Sequence, residues 1–457
     1  MHTNTIHDLR SFLDALRAAG ELSEIHKPVS LQHELGAVLN ACERAGKASM
    51  FHQVQGHSIP VVGSLLGSPR RIAIALGCDQ AGVSPRMAAA TEQPVKPVMY
   101  DGKQTGSASS SAPCQEVVIL DPDLSHWPIP THCPLDAGAF ITAGIVISRQ
   151  PGGDQHNLSY NRMQVFDNQT TGISMNIWRH MKAFFDQLEP RGENMPFCVA
   201  LGCDPVLSMA AAFRYDGDEY EVAGSLRGAP IPLVKAITCD VLVPAWAEII
   251  IEGEVLAGQR RMEGPMGEFT GHYSGADEKH VARIKAITHR QQPIYQTMTG
   301  GGFEHVIVGN MITREPLLEK FIRHQTSKLK AIHLPPYGAG FTALISLKNP
   351  NPGEARNVAL AAMAAHVNIK TVILLDEDVD VYDAQDVLWA LSTRVRWQDA
   401  MVPIPGIHGN ELDPTSDAHG VMCKTIIDAT MPAEERARYR KITQPSVDLS
   451  AYLGKPA

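Results

Sequence analysis

The stretch Met262-Glu263-Gly264-Pro265-Met266-Gly267-Glu268 places two glutamates on either side of Gly-Pro-Met-Gly. Proline removes a backbone donor and glycine favours neither helix nor strand, so this segment is predicted to be a loop. Apolar runs typical of strands lie before and after it, at 247–251 and 281–288. Two close carboxylates shift each other's proton affinities, which suits acid–base chemistry. The residues alone favour the alternative, a solvated acidic turn.

Short apolar runs separated by turn residues recur through the whole middle of the chain. Their regular spacing predicts a sheet-rich barrel or sandwich, interrupted by helices near 180–190 and 206–213. The further predicted strands are 116–120, 140–148, 159–166, 172–177, 197–201 and 236–243.

The two ends of the chain have a different pattern, in which helices and strands alternate. Amphipathic helices are predicted at 8–20 and 32–46, in an α/β domain that ends at the small-residue stretch 105–113. After residue 311 the alternation predicts an open, mostly parallel sheet. Its predicted elements are helices at 315–325, 354–367 and 384–396 and strands at 340–348 and 372–375. The predicted domains are 1–112, 113–305 and 306–457.

Composition excludes several classes of protein. The chain has 457 residues and a formal net charge of −9, which argues against nucleic acid or an anionic membrane as partner. It has no apolar run of about 18 residues, the length of a membrane span, and no secretory signal pattern at its N-terminus. Its eight cysteines form no C-x-x-C pair, which favours reduced thiols and a cytoplasmic location.

Several polar residues are candidates for a site. The amide oxygen of Asn157 can coordinate a hard cation, and Arg162 can bind a carboxylate through two contacts. Five residues apart, they would point to opposite faces of a straight strand, and an ordinary surface strand is the alternative. His180 is open to three interpretations: a metal ligand, a phosphate contact or a core histidine. The acidic cluster 218–221 either supplies a carboxylate to a cation or forms a solvated turn.

Taken in order, these segments resemble the UbiD family of decarboxylases, which use prenylated FMN. The resemblance covers nearly the whole chain and includes an E-x-x-x-A-G-x-L-R-G run and an E-G-P-x-G-[ED] loop. The segments that carry it are Phe51–Ser64, Trp127–Pro130, Asp136–Thr142, Asn157 with Arg162, Glu219–Gly228, Glu263–Glu268 and Val379–Arg394.

The resemblance implies a set of site residues. Arg162, Glu263 and Glu268 would form the catalytic network. Asn157, His180 and Glu219 would bind a divalent metal, with Glu221 as the ligand instead of Glu219 if the alignment is shifted by two residues. The implied cofactor contacts are Asn157, Tyr160, Asn161, Arg162, Arg179, His180, Ala223 and Gly224.

The resemblance also implies a fold and a function. The α/β multidomain fold would combine an N-terminal α/β domain, a central flavin-reductase-like split β-barrel and a C-terminal α/β domain with an open sheet. The function would be reversible, non-oxidative decarboxylation of an aromatic, heteroaromatic or α,β-unsaturated carboxylic acid. The implied requirements are prenylated FMN from a separate flavin prenyltransferase, a divalent metal (Mn2+ favoured) with K+ as a further candidate, and assembly as a homo-oligomer, dimer or hexamer.

Two other functions fit parts of the same pattern. An ordinary flavin oxidoreductase would use the split barrel, but hydride transfer needs no pair of acids such as Glu263 and Glu268. A flavin-binding homologue without activity, or a subunit of a larger carboxylase, would not need the complete set of catalytic and metal positions.

Overall fold

The structure, a computed structural model, describes residues 6–102, 111–176, 179–442, 444–448 and 452. Most of the predicted linker 105–113 lies outside these residues. The chain forms two compact units. The first comprises Met1–Leu317, Leu334–Gly340 and Asn410–Gly420, and the second comprises Leu318–His333, Phe341–Gly409 and Val421–Ala457. The predicted domain boundaries at 112 and 305 remain a prediction.

Each helix predicted from the sequence is present within a few residues of its predicted bounds, and further helices occur at 69–76, 83–89, 219–227, 303–306 and 397–400. None of the helices described has the length and apolar character to cross a bilayer. They are α1 (Leu9–Ala18), α2 (Glu34–Arg44), α3 (Pro69–Leu76), α4 (Val83–Ala89), α5 (His180–Leu188), α6 (Pro205–Ala210), α7 (Glu219–Arg227), α8 (Phe303–Val306), α9 (Arg314–Arg323), α10 (Glu354–Ala365), α11 (Ala384–Arg394) and α12 (Trp397–Ala400).

The strands confirm the sheet-rich middle of the chain. They are β1 (Leu22–Ile25), β2 (Ala48–Phe51), β3 (Val61–Gly63), β4 (Val98–Met99), β5 (Val117–Leu120), β6 (Phe140–Ile141), β7 (Ile145–Arg149), β8 (His156–Tyr160), β9 (Met163–Gln164), β10 (Thr170–Ile173), β11 (Met195–Leu201), β12 (Pro232–Lys235), β13 (Leu242–Pro244), β14 (Ile249–Glu263), β15 (Asp277–His289), β16 (Tyr295–Thr297), β17 (Leu329–His333), β18 (Thr342–Leu347), β19 (Thr371–Asp376), β20 (Met401–His408) and β21 (Val421–Asp428).

A seven-stranded antiparallel sheet is the centre of the first unit. Its hydrogen-bonded order is β10-β15-β14-β11-β7-β8, and β5 also pairs with β15. The long strands β14 and β15 form a hairpin whose register runs from Ile249↔His289 to Glu263↔Asp277. The smaller sheets of this unit are β1-β2-β3-β16, β13-β12-β4 and β6-β9. The predicted α/β multidomain class is confirmed.

The first helix shows how the sequence specifies one of these elements. Leu9, Phe12, Leu13 and Leu16 repeat at helical spacing and are buried. Asp8 caps the helix by accepting a hydrogen bond of 2.8 Å from the Ser11 amide. The helix is therefore fixed by one apolar stripe and one cap.

The second unit has a mixed sheet, ordered β17-β18-β19-β21-β20. The pairs β18/β19 and β19/β21 are parallel, whereas β17/β18 and β20/β21 are antiparallel. The prediction of a mostly parallel sheet was therefore wrong for the two outer strands. Parallel neighbours need a crossover, usually a helix, and the connections 334–341 and 409–420 contain no α-helix.

A buried acidic cluster joins α2 to the start of α8. The Glu43 carboxylate accepts hydrogen bonds from Ser64 Oγ at 2.7 Å and from the Phe303 and Glu304 amides at 2.7 and 2.8 Å. Glu304 is 3% exposed and accepts from the Leu66 amide at 2.7 Å. Burial raises the pKa of Glu304 to about 7, against an ordinary value of 4.5.

This shift predicts a pH-dependent stability. The folded protein keeps a proton on Glu304 that the unfolded chain releases, so the contribution of this group is complete below pH 4.5 and lost as pH rises through 7. Glu304→Gln keeps an oxygen for the Leu66 amide and removes the charge. We expect its melting temperature to exceed that of the wild type at pH 8, with the gain shrinking towards pH 5. The exposed Glu278→Gln is the control, and an equal effect of Glu304→Gln at both pH values would contradict the prediction.

Candidate active site

The segment with two glutamates connects the two longest strands of the central sheet. Glu263 is the last residue of β14 and is fully buried. Residues 264–276 then form the connection to β15, so the prediction of a loop is confirmed. Gly264 has φ +89°, which favours glycine, and a Cβ there would lie 2.8 Å from the Gly275 carbonyl oxygen. We call residues 263–268 the acid loop.

Arg162 joins the two acids. Strand β8 ends at Tyr160, so Arg162 lies on the short turn that leads into β9 and is free of the alternation of a straight strand. Its Nε lies 2.8 Å from Glu263 Oε1 as an ion pair, and its Nη1 donates a hydrogen bond to Glu268. The same Nη1 also donates to Ser274 Oγ at 3.2 Å. The structure thus brings Arg162 together with two acids that lie about a hundred positions further along the sequence.

Burial governs the charge of this group. It raises the pKa of Glu263, and the Arg162 cation opposes that rise only in part. Two carboxylates share one guanidinium, so the group carries a net negative charge unless one acid is protonated. His305 lies close enough to Glu268 and Arg162 for their charges to affect its pKa, and its ring lies 6.0 Å from that of Phe269. Burial lowers the pKa of His305, which favours the neutral imidazole. Such a group can retain a proton on Glu263 to a higher pH than a solvated glutamate allows.

Glu219 and Asn157 meet at the other end of β8. Glu219 begins α7, so the alternative of a solvated acidic turn at 218–221 was wrong. Its carboxylate accepts a hydrogen bond of 2.9 Å from the amide of Leu158, the residue after Asn157. Asn157 donates through Nδ2 to Ser159 Oγ at 3.1 Å, so its Oδ1 is the atom available to a cation. Burial raises the pKa of Glu219 to about 8, which marks a carboxylate that lacks full charge compensation.

The start of α5 packs against the same strand. Asn161 Nδ2 lies 3.6 Å from Met181 Sδ, and Arg179 Nη1 donates to the Phe213 carbonyl at 3.2 Å. His180 is half-buried, with its ring stacked on that of Phe184. Within the part of the chain that the structure describes, no cluster of three or more His, Cys, Asp or Glu side chains is arranged around a metal position. His180 as a third ligand therefore stays a prediction.

The donor set nevertheless fits a cation bound together with a phosphate. Glu219 and the Asn157 oxygen are hard ligands in a buried place. Arg179 lies close enough to Glu219 to affect its pKa, and burial lowers the pKa of Arg179 and of the half-buried Arg314. Neighbouring arginines suit the binding of a phosphate, because the guanidinium group matches its geometry. The sequence analysis missed Arg314, because it lies in a helix with no motif.

The remaining predicted cofactor contacts lie in β8 and α7. The Tyr160 hydroxyl donates to the Ser208 carbonyl at 3.2 Å. Ala223 and Gly224 are buried in α7, and a Cβ on Gly224 would lie 2.4 Å from the Val95 carbonyl oxygen. That close approach explains the glycine by packing alone. Glu221 is half-buried and its carbonyl accepts from the Val95 amide at 3.0 Å, so its backbone belongs to the same packing contact.

Comparison with known proteins places the whole chain in one family. The 3-octaprenyl-4-hydroxybenzoate carboxy-lyase (UbiD) models match its N-terminal domain at residues 13–90, its Rift-related domain at 106–303 and its C-terminal domain at 308–429. The chain is 29% identical to the anhydromevalonate phosphate decarboxylase of Methanothermobacter thermautotrophicus, over 95% of this chain and 100% of that protein. It is 32% identical to the phenolic acid decarboxylase of Bacillus subtilis, over 94% of each chain.

Solved structures give the same result. The UbiD-class enzyme HmfF from Pelotomaculum thermopropionicum, in complex with FMN, superposes with a TM-score of 0.92 at 35% identity, over 98% of this chain and 100% of that one. An evolved dimeric form of HmfF in complex with prenylated FMN gives 0.87 at 33% identity, with the same coverage. The family models together match most of the chain, and the fold agrees along almost its entire length. The protein therefore belongs to the UbiD family.

Proposed function

We propose that this protein is a decarboxylase that uses prenylated FMN to release CO2, reversibly and without oxidation, from an aromatic, heteroaromatic or α,β-unsaturated carboxylic acid. The observation that carries the proposal is the buried group of Arg162, Glu263 and Glu268. The decarboxylase names of the two relatives support the reaction, and the prenylated FMN complex of HmfF supports the cofactor.

The residues around β8 would hold the cofactor. Asn157, His180 and Glu219 would bind a divalent cation against its phosphate, with Arg179 adding positive charge. Oxygen ligands suit Mg2+ or Mn2+, and a histidine nitrogen favours Mn2+. A K+ ion is a further candidate at the same phosphate. When bound, the prenylated flavin supplies the electron sink for the carbon that loses CO2.

The acid loop supplies binding and proton transfer. Arg162 would orient the substrate carboxylate while keeping both acids in place. Glu263 is fully buried, whereas Glu268 is 8% exposed, so Glu268 is the acid that can reach a bound substrate. Burial raises the pKa of Glu263, so this acid keeps a proton available to a higher pH than a solvated glutamate does. Glu268 would deliver this proton to the carbon left by CO2 and remove it in the reverse direction.

A screen for CO2 release tests the proposal directly. The protein would be produced with and without a flavin prenyltransferase and assayed with a panel of aromatic, heteroaromatic and α,β-unsaturated acids. We expect release, and exchange of labelled CO2 into the acid, only from co-expressed protein that shows prenylated flavin absorbance. Full activity without prenylated flavin would contradict the cofactor. Bound flavin with no activity on any acid would favour a non-catalytic homologue, and reduction of an acceptor by plain flavin would favour an oxidoreductase.

Assembly and location complete the proposal. We propose a homo-oligomer, dimer or hexamer, and a separate flavin prenyltransferase as the cofactor supplier. All eight cysteines are free thiols in the structure, including the buried Cys114, Cys198 and Cys203. Free thiols are typical of a reducing compartment, which supports a cytoplasmic location.

The first activity prediction concerns Glu268. Glu268→Gln nearly preserves the shape of the side chain but removes the acidic proton. A general acid contributes about 10²- to 10⁴-fold, so we expect turnover to fall by at least 100-fold. Flavin absorbance per protein should stay near that of the wild type. The exposed Glu278→Gln is the matched control, and near-normal turnover of Glu268→Gln would reject its role.

The second prediction concerns the metal. Glu219 would be the single anionic protein ligand, so Glu219→Gln should lose the metal and weaken cofactor retention together. Glu221→Gln, two residues along the same helix, should do neither. Metal content and flavin absorbance would be measured on both variants after the same purification.

Two results would change this assignment. Loss of metal in Glu221→Gln with retention in Glu219→Gln would shift the ligand by two residues. Retention in both variants would mean that the metal is held by other groups.

A further inference from the structure

The acid loop is held at its first residues by a glutamine from outside the hairpin. Gln164, in β9, is 8% exposed. Its Oε1 accepts a hydrogen bond of 2.9 Å from the Gly264 amide, and its Nε2 donates to the Ala137 carbonyl at 3.2 Å. Gln164 therefore ties the residue after Glu263 to the segment 133–137.

The other end of the loop is held by an aspartate on that same segment. Asp136 Oδ1 accepts a hydrogen bond of 2.9 Å from the amide of Gly267, the residue before Glu268. Its Oδ2 accepts from the Cys133 amide at 2.8 Å, which fixes the carboxylate. Between these two anchors, the Ala137 amide donates to the Pro265 carbonyl at 2.8 Å. Hydrogen bonds to a charged acceptor are stronger than those between neutral groups.

A glycine closes the opposite side of the loop. A Cβ on Gly300 would lie 1.9 Å from the Gly267 carbonyl oxygen. The Gly267 amide therefore donates a hydrogen bond to Asp136, and the Gly267 carbonyl packs closely against Gly300. It has little room to move in either direction.

The position of Gly267 controls the proton donor that follows it. The peptide between Gly267 and Glu268 sets where the Glu268 side chain begins, and that side chain must reach both Arg162 and a substrate carbon. A proton donor works at heavy-atom separations of about 2.6–3.2 Å, and a misplacement of about 1 Å can cost about 100-fold in rate. A change far from the reacting atoms can therefore slow the reaction.

We propose that Asp136 is a positioning residue for Glu268. The Asp136 carboxylate acts through the backbone amide of Gly267, as the Gln164 carboxamide does through that of Gly264. The inference rests on the proposed function for its effect on activity, but the hold on the loop stands on the hydrogen bonds alone.

Three variants and two measurements test this inference. Asp136→Ala removes both acceptors, whereas Asp136→Asn keeps one oxygen for the Gly267 amide. Asp123→Ala is the matched control, because the Asp123 carboxylate accepts a similar hydrogen bond of 2.8 Å from Ser125 in another turn. Each protein would be assayed as cofactor-loaded enzyme for kcat and KM. Hydrogen–deuterium exchange of the peptide that covers 264–268 would be measured without cofactor.

We expect Asp136→Ala to lose about 100-fold in kcat with KM within about threefold, and to exchange faster across 264–268. Asp136→Asn should recover most of kcat and of the protection, and Asp123→Ala should match the wild type. Unchanged kcat and exchange in Asp136→Ala would overturn the inference. So would a loss accompanied by a raised KM, lost flavin and no rescue by Asp136→Asn, because that pattern indicates a general structural defect.

Wild-type protein and Glu268→Gln run in parallel separate this inference from the proposed function. If the wild type releases no CO2 from any acid, the proposed function fails and the exchange measurement decides the inference alone. Faster exchange in Asp136→Ala would then still support the hold on the acid loop, and unchanged exchange would reject it.

Discussion

One guanidinium between two carboxylates is the constraint on which the site depends. Arg162 contacts Glu263, which is fully buried, and Glu268, which is nearly so. Removing such charges from water costs several kcal/mol per ion, and an apolar replacement is often as stable or more so. The group is therefore poorly explained as a means of stabilising the fold. Burial raises the pKa of Glu263, so the group retains a proton to a higher pH than a solvated glutamate would.

The fold serves this group by controlling backbone direction at three places. The hairpin of β14 and β15 carries Glu263 at its last register pair and projects the acid loop beyond it. Strand β8 stops at Tyr160, which frees Arg162 from the alternation of the sheet. The segment 133–137 and Gln164 then fix the loop through its amides. Each of these three features fixes the main chain, and the position of the main chain determines where each side chain begins.

The sequence predicted what is local and missed what is not. Helix α1 was predicted from its apolar spacing, and the acid loop was predicted from its glycines and proline. Helix α7 has similar local signals, with Asp218 as its N-terminal cap and Gly228 at φ +72° after its last residue. The sequence analysis did not predict this helix, because it considered the acidic residues 218–221 only as a cation ligand or a solvated turn. Strands β17 and β20 run antiparallel to their neighbours, because the connections from β17 to β18 and from β20 to β21 contain no α-helix. The contacts of Gln164 and Asp136 with the acid loop join positions 100 and 131 residues apart, which no spacing in one sequence indicates.

Strand β8 and the turn after it connect the two polar groups of the candidate site. Asn157 lies within the strand beside Glu219, and Arg162 lies just beyond its end beside Glu263 and Glu268. In a straight strand these two residues would face opposite sides of the sheet, and a single ligand could not contact both. The turn after Tyr160 removes that restriction without lengthening the path between them. Asn157 and Arg162 are thereby joined by five residues of backbone, so under the proposed function a cofactor bound beside Asn157 would be positioned relative to the acids beside Arg162.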